Sequence, residues 1–230
     1  MKIRTVNIAN RSFSAFSLAE LSFIIMIISF LLVVMFSGVQ LLNQSKVKFF
    51  INDLTSYLAA VRNFENSYDA LPGDFSEAES FFTNANNLNN GNGDGEVDWS
   101  SEVYDANLHL AKAEMIDGQQ FTGDSNKYIS LLKNIDGLGK ILINTALDSD
   151  YFFLKKNVMQ FGGGSEADEA ILLPEDAYEI DKKLDDGLPK KGKITFKDTN
   201  KNLDIKCTNS TDEYFFDSTE LGCNIIYVLN

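Results

Sequence analysis

The chain has 230 residues, with 20 Lys+Arg against 33 Asp+Glu and a net charge of −13. Apolar residues make up 44% and charged residues 23%, a balance that excludes a disordered or collagen-like chain, and a mean hydropathy of −0.12 excludes a polytopic membrane protein. So acidic a chain is poorly suited to gripping a nucleic-acid backbone through its bulk charge, and no nucleic-acid partner is expected.

Residues 1–15 carry Lys2, Arg4 and Arg11 and no acid. Across 21–45 no residue is charged, and Lys46 and Lys48 follow. A helix rises ~1.5 Å per residue and needs about 20 apolar residues to cross a bilayer, so this run is long enough for one crossing. It also exceeds the ~7–15-residue apolar core of an ordinary signal peptide. The basic leader is expected to stay in the cytoplasm, with the rest of the chain delivered across the membrane. Glu20 stands just inside the apolar run, where an acid is expensive in lipid and usually has a function.

The segment Ala15-Phe16-Ser17-Leu18-Ala19-Glu20 resembles the processing site of type IV pilins and type II secretion pseudopilins. The family pattern is a small residue, a Phe, a Thr or Ser and a Leu, with a Glu fifth in the mature chain and an apolar helix behind it. Ala15 stands where Gly is commoner. The resemblance implies that a prepilin peptidase cuts between Ala15 and Phe16 and methylates the new Phe16 amine. It implies a single-pass inner-membrane protein with its head in the periplasm, assembling into a periplasmic or extracellular filament. The implied partners are other pilin or pseudopilin subunits and an inner-membrane assembly platform, and the implied role is structural rather than enzymatic. A physical argument runs alongside. Cleavage creates an ammonium at the end of an apolar helix, and the Glu20 carboxylate one turn along can meet the Phe16 amine of a neighbouring subunit. Left unpaired in a helix bundle, both charges would cost several kcal/mol.

Beyond the apolar run, Val47, Phe50, Leu54, Tyr57, Leu58, Val61, Phe64 and Tyr68 recur at spacings of three and four, an amphipathic stripe. Lys48, Asp53, Arg62 and Glu65 fall off it, and Leu71-Pro72-Gly73-Asp74 stops it. The expected helix covers 17–69, about 80 Å long. The domain reading is a cleaved leader at 1–15, a transmembrane half-helix at 16–45, an amphipathic half at 46–71 and a globular head at 72–230. The expected fold class is α+β: a long N-terminal helix packed against a head with an antiparallel β-sheet, as in pilins. Loss of the leader takes Lys+Arg from 20 to 17 against 33 acids, leaving side chains that sum to −16.

In the head, 76–82 fits a short helix with Ser76 and Glu79 at capping-box spacing, and 84–98 is a polar Asn/Gly loop. A helix is expected over 101–115, with Leu108, Ala111 and Met115 on one face. Strand composition marks 140–147, 151–154, 193–196, 203–207 and 224–229. Gly162-Gly163-Gly164 reads as a hinge or turn. Residues 174–184 read as a helix with Pro174 first, acids at its positive end, Lys182 and Lys183 at its negative end, and Gly187 beyond. Short turns between strands favour antiparallel pairing. The segments 70–75, 90–95 and 181–189 resemble parts of a long-headed bacterial prepilin-like group.

Three constellations stand out. Cys207 and Cys223 are the only cysteines, and in an exported head they are expected to form a disulfide. The resemblance to type IV pilins implies a loop used for contacts, the alternative being a structural staple. A zinc site is disfavoured because His109 is the only histidine. Asn90, Asn92 and Asp94, followed by Gly95 and with Asp98 at the ninth place, match the spacing of a calcium loop of the EF-hand type. The match fails at its first position, an Asn, and at its twelfth, Ser101, with Glu102 one residue late. The alternative is a surface turn that binds nothing. Asp198, Asn200, Asn202 and Asp204 also alternate oxygen-bearing side chains, without a Gly, and read better as a hairpin turn. The resemblance to pseudopilins, which hold calcium near the end of the head, keeps them as a second candidate. No other cofactor is expected. His109 reads as a helix-surface or half-buried residue, and Asp185-Asp186 as solvated acids.

The expected function is thus a prepilin-like subunit of a type IV pilus-like filament, with a type II secretion pseudopilin as the alternative. A single-anchor periplasmic binding module or enzyme ranks last, because no nucleophile–base arrangement accompanies the anchor.

Overall fold

The computed structural model describes residues 17–82, 88–99, 102–116, 129–130, 140–146, 156–164, 167–198 and 206–229. The leader with Ala15 and Phe16, the expected strand at 151–154, and Asn200, Asn202 and Asp204 lie outside the described residues. The chain divides into two compact units between Gln44 and Ser45.

Helix α1 (Leu18–Tyr68) begins in the first unit and ends in the second. Its start is capped locally: the Ser17 N–H donates to Glu20 Oε2 at 2.9 Å, and the Ala19 N–H to Ser17 Oγ at 3.3 Å. This reciprocal pair is a capping box, which satisfies two of the amides that every helix start leaves bare. The stretch Leu18–Phe36 is long and apolar enough to cross a membrane, and its side chains are exposed all round.

From Ser45 onward the same helix becomes one-sided. Val47, Phe50, Leu54, Tyr57, Val61 and Phe64 are buried, Leu58 and Tyr68 are half-buried, and Ala60 joins the stripe. Lys48 and Arg62 face solvent. The helix closes at Tyr68, where Asp69 takes a left-handed φ of 52° and its N–H still reaches Glu65 O at 2.9 Å.

The rest of the head is α+β. After α2 (Ala78–Phe81) and α3 (Glu102–Lys112) come β1 (Ile129–Ser130), β2 (Lys140–Ala146), β3 (Lys156–Gly162), α4 (Pro174–Leu184), β4 (Ile194–Asp198) and β5 (Cys223–Val228). The strands form one antiparallel sheet in the order β1-β2-β3-β5-β4. The last strand therefore inserts between β3 and β4, pairing Ile225 with Phe161 on one side and with Phe196 on the other. Ile141, Leu142 and Ile143 are buried in succession on β2, so both faces of the sheet are covered. The Phe50 ring meets Phe161 edge-on at 6.3 Å between centroids, which seats α1 on β3.

The sequence reading needs four adjustments. The α2 helix is one turn, and no Ser76 side-chain cap holds it; Glu77 stands at its N-cap with no side-chain bond. Gly162 is the last residue of β3 rather than part of a hinge. A Cβ at that position would lie 1.9 Å from Ala167 O, so the returning backbone requires Gly there. The expected strand at 203–207 is not a strand at its described residues, 206 and 207. Strand order departs from chain order, although every pairing is antiparallel as expected.

Candidate functional site

Two clusters in the head gather polar chemistry. The first surrounds the Asn/Gly loop. Asp74, at the turn after α1, is 2% exposed and reaches into this loop. Its Oδ1 accepts the Gly93 and Asp94 N–H groups at 2.7 and 3.1 Å, and its Oδ2 accepts Gly95 N–H at 2.9 Å. Glu102, at the start of α3, closes the other side: Oε1 accepts Asn92 N–H at 2.8 Å and Oε2 accepts Asp98 N–H at 2.9 Å. The carboxylate that stood one residue late for the calcium pattern thus turns back into the loop. Burial pushes both carboxyls above their ordinary range, against the pull of those amides, and the Asp74 charge adds to the rise at Glu102.

Three side chains of the calcium pattern, Asn90, Asn92 and Asp94, lie along this loop and are engaged with protein groups. Asn90 Oδ1 accepts Glu79 N–H at 2.9 Å, Asn92 Oδ1 accepts Asp94 N–H at 2.8 Å, and Asp94 Oδ1 accepts Glu96 N–H at 2.9 Å. The loop is therefore held by two buried acids from flanking elements. Gly91 is indispensable to the closure, because a Cβ there would sit 2.2 Å from the Asp74 carbonyl carbon.

His109 completes this cluster and corrects its expected surface place, being 0% exposed. Its Nδ1 accepts Gly73 N–H at 3.0 Å and its Nε2 lies 3.0 Å from Asn89 O. An Nδ1 that accepts leaves the proton on Nε2, so the ring bridges the turn after α1 to the loop as a neutral imidazole. Phe64 stacks on it at 6.1 Å.

The second cluster joins the disulfide loop to the end of α4. Cys207 and Cys223 are bonded and fully buried. Between them the chain folds into a small turn in which Phe215 N–H donates to Cys207 O at 2.9 Å and Asn209 N–H to Glu213 O at 2.8 Å. Tyr214 points inward, 4% exposed, among Tyr178, Phe196 and Phe216, with centroids 5.5–6.3 Å away. A cleft of about 680 Å³ opens here, lined by Tyr178, Leu188, Pro189, Tyr214 and Phe216 among others.

The Tyr214 hydroxyl donates to Asp181 Oδ2 at 2.6 Å. Asp181 is 0% exposed, and burial pushes its carboxyl up to about 6, opposed by the Tyr214 hydroxyl and the Gly187 backbone N–H and helped by Asp186 and Asp185. Asp185 also departs from the expected solvated acid. Its Oδ2 accepts Lys193 N–H at 2.5 Å and Ile194 N–H at 2.8 Å, tying the end of α4 to the start of β4. Asp186 Oδ1 accepts Leu188 N–H at 2.8 Å.

Sequence reasoning placed the cysteine pair and the Asn90 loop but missed Asp74, His109 and Asp181 as buried polar anchors. For Asp74 and Asp181 the signal is only the short motifs LPGD before α2 and DKKLDDG at the end of α4, and His109 stands in neither, with nothing local to mark its burial. Comparison of the chain with protein-family models, with curated proteins and with solved structures finds no match.

Proposed function

We propose that the chain is a prepilin-like structural subunit, processed by a prepilin peptidase between Ala15 and Phe16 and assembled through its N-terminal helix into a type IV pilus-like filament. The observation that carries this reading is the change of character along α1. Over Leu18–Phe36 it is apolar on every side, and from Val47 to Phe64 it buries a single stripe. An all-round apolar surface must be covered by lipid or by other copies of itself. A helix serving both as lipid anchor and as the spine of a head is the design that a helix-cored filament requires. Glu20 supports the reading as the one acid in the apolar stretch. The Cys207–Cys223 bond favours a pilus-like system over a secretion pseudopilus, because the pilins that the chain resembles frame a contact loop in that way.

Intact mass and N-terminal sequencing of protein purified from its native membrane test the proposal. The expected result is a chain that starts at Phe16 and carries one added methyl group. A chain that starts at Met1 in cells that process other prepilins would overturn it and leave a single-anchor module as the working description.

A further inference from the structure

Asn90-Gly91 and Asn92-Gly93 are the only Asn-Gly pairs in the chain, and both lie in the loop that Asp74 and Glu102 hold. An Asn followed by Gly carries its own modification chemistry. The glycine nitrogen, once it gives up its proton, can attack the side-chain carbonyl carbon of the asparagine, and no side chain on the glycine obstructs the approach. An N–Cγ bond forms, closing a cyclic imide, and the Cγ–Nδ2 bond breaks as ammonia leaves. Water then opens the imide at either carbonyl, giving an aspartate or an isoaspartate whose main chain is one carbon longer. The two glycine nitrogens are held in different ways. Gly91 N–H donates to Phe75 O at 2.9 Å in a close backbone crossing, where a Cβ would lie 2.2 Å from the Asp74 carbonyl carbon. Gly93 is exposed, with a left-handed φ of 74°, and a Cβ there would come no closer than 3.5 Å to any neighbour. Its N–H donates to Asp74 twice, to the carbonyl oxygen at 3.1 Å and to Oδ1 at 2.7 Å. A carboxylate that accepts an N–H favours the protonated amide, so Asp74 opposes the first step of the attack. The Asn92 amide is turned to Asp94, with Oδ1 accepting its N–H at 2.8 Å and Nδ2 donating to its Oδ2 at 3.1 Å. A cleft of about 640 Å³, lined by Asp74, Phe75 and Gly93 among others, brings water to this point.

We propose that Asn92 is a deamidation site that Asp74 keeps closed, so that an opening of the loop converts Asn92 and marks the chain irreversibly. The closed loop sets the spacing between two neighbouring amides: Asn92 N–H sits on Glu102 Oε1 at 2.8 Å and Gly93 N–H on Asp74 Oδ1 at 2.7 Å. An isoaspartate inserts a carbon between those two nitrogens, and they no longer match the two buried acids. The aspartate product keeps the spacing but adds a negative charge beside Asp94, in a loop already closed on Asp74 and Glu102, where like charges oppose one another. Either product therefore disfavours reclosure. Asn90 is the internal control, since it has the same chemistry but its glycine nitrogen is packed into the backbone crossing and not held by the carboxylate. The inference does not depend on the filament reading.

The test follows the conversion of amide to acid at Asn90 and Asn92 by peptide mapping and mass spectrometry, on the full chain in detergent at mildly alkaline pH. The folded wild type is expected to keep both residues, and the same chain in denaturant to convert both. D74A is expected to raise the rate at Asn92 about tenfold or more, and at Asn90 far less. D74N keeps the size of the side chain, is expected to raise the rate at Asn92 in the same direction, and remains decisive if D74A fails to fold. N92D, which carries the charge of one product, is expected to exchange the Gly93 and Gly95 amide hydrogens faster than the wild type. Conversion at Asn92 as fast in the folded wild type as in denaturant would overturn the proposal. So would an Asn92 rate unchanged in folded D74N, or amide exchange in N92D equal to that of the wild type.

Discussion

The buried acids and the lone histidine of the head work by accepting backbone amides, a role that residue identity alone does not reveal. His109 sits on α3, whose expected apolar face was Leu108, Ala111 and Met115. The buried set is instead Glu102, Val103, Asp105, Ala106, Asn107, His109 and Leu110. The difference has a physical cause. One side of α3 packs against a polar loop as well as against the apolar core, so polar side chains that can pair with backbone count as interior. Asn107 shows the same logic, accepting from the Tyr57 hydroxyl and donating to Ile141 O at 3.0 Å. Burial, which pushes the Tyr57 hydroxyl upward, keeps it protonated as that donor. Substituting H109A leaves Gly73 N–H and Asn89 C=O without their partner and opens a void beside Phe64. The expected cost is about 2–4 kcal/mol of stability. Chemical unfolding of the full chain in detergent would read it, and a loss below about 0.5 kcal/mol would show that the two bonds do not hold the turn to the loop.

At the scale of elements, the legible parts were those with their own periodicity or caps. The expected 17–69 helix became Leu18–Tyr68, and α4 took the bounds read from Pro174, its flanking charges and Gly187. Strand β3 escaped notice because its buried run, Val158, Met159 and Phe161, does not alternate and leads into three glycines. A strand covered on both faces has no period-two signal to read. The place of β5 was not legible either, because insertion between β3 and β4 is decided by long-range pairing and not by the turn before it. The disulfide stands where that order matters most. Cys223 opens β5 and Cys207 lies 16 residues earlier, so the bond closes the connection into a strand that is paired on both sides. Restricting that loop in the unfolded chain is worth about 3 kcal/mol. The double variant C207S/C223S is therefore expected to lose about that much in denaturant unfolding. An unchanged midpoint would mean that the Tyr214 and Phe196 packing holds the loop alone.

For the whole molecule the question is what Glu20 does, since one side chain admits a local and a collective role. The local role is the capping bond from the Ser17 N–H, worth about 1 kcal/mol to the helix start. That bond engages one of roughly four acceptor positions on a carboxylate, and the remainder of the charge stays costly beside lipid. The collective role is to meet the Phe16 amine of a neighbouring subunit. The two roles separate under substitution. E20Q keeps a side-chain oxygen for the Ser17 N–H, because Gln serves at this position of a capping box as Glu does, but it removes the charge. S17A removes the serine half of the box and leaves the charge in place. If charge pairing sets the register between copies, E20Q inserts into the membrane and forms no filament, while S17A assembles with only a weaker helix start. Membrane fractionation and electron microscopy of sheared filaments would read both. Filaments at wild-type level from E20Q would confine Glu20 to the cap and leave helix packing alone to order the assembly.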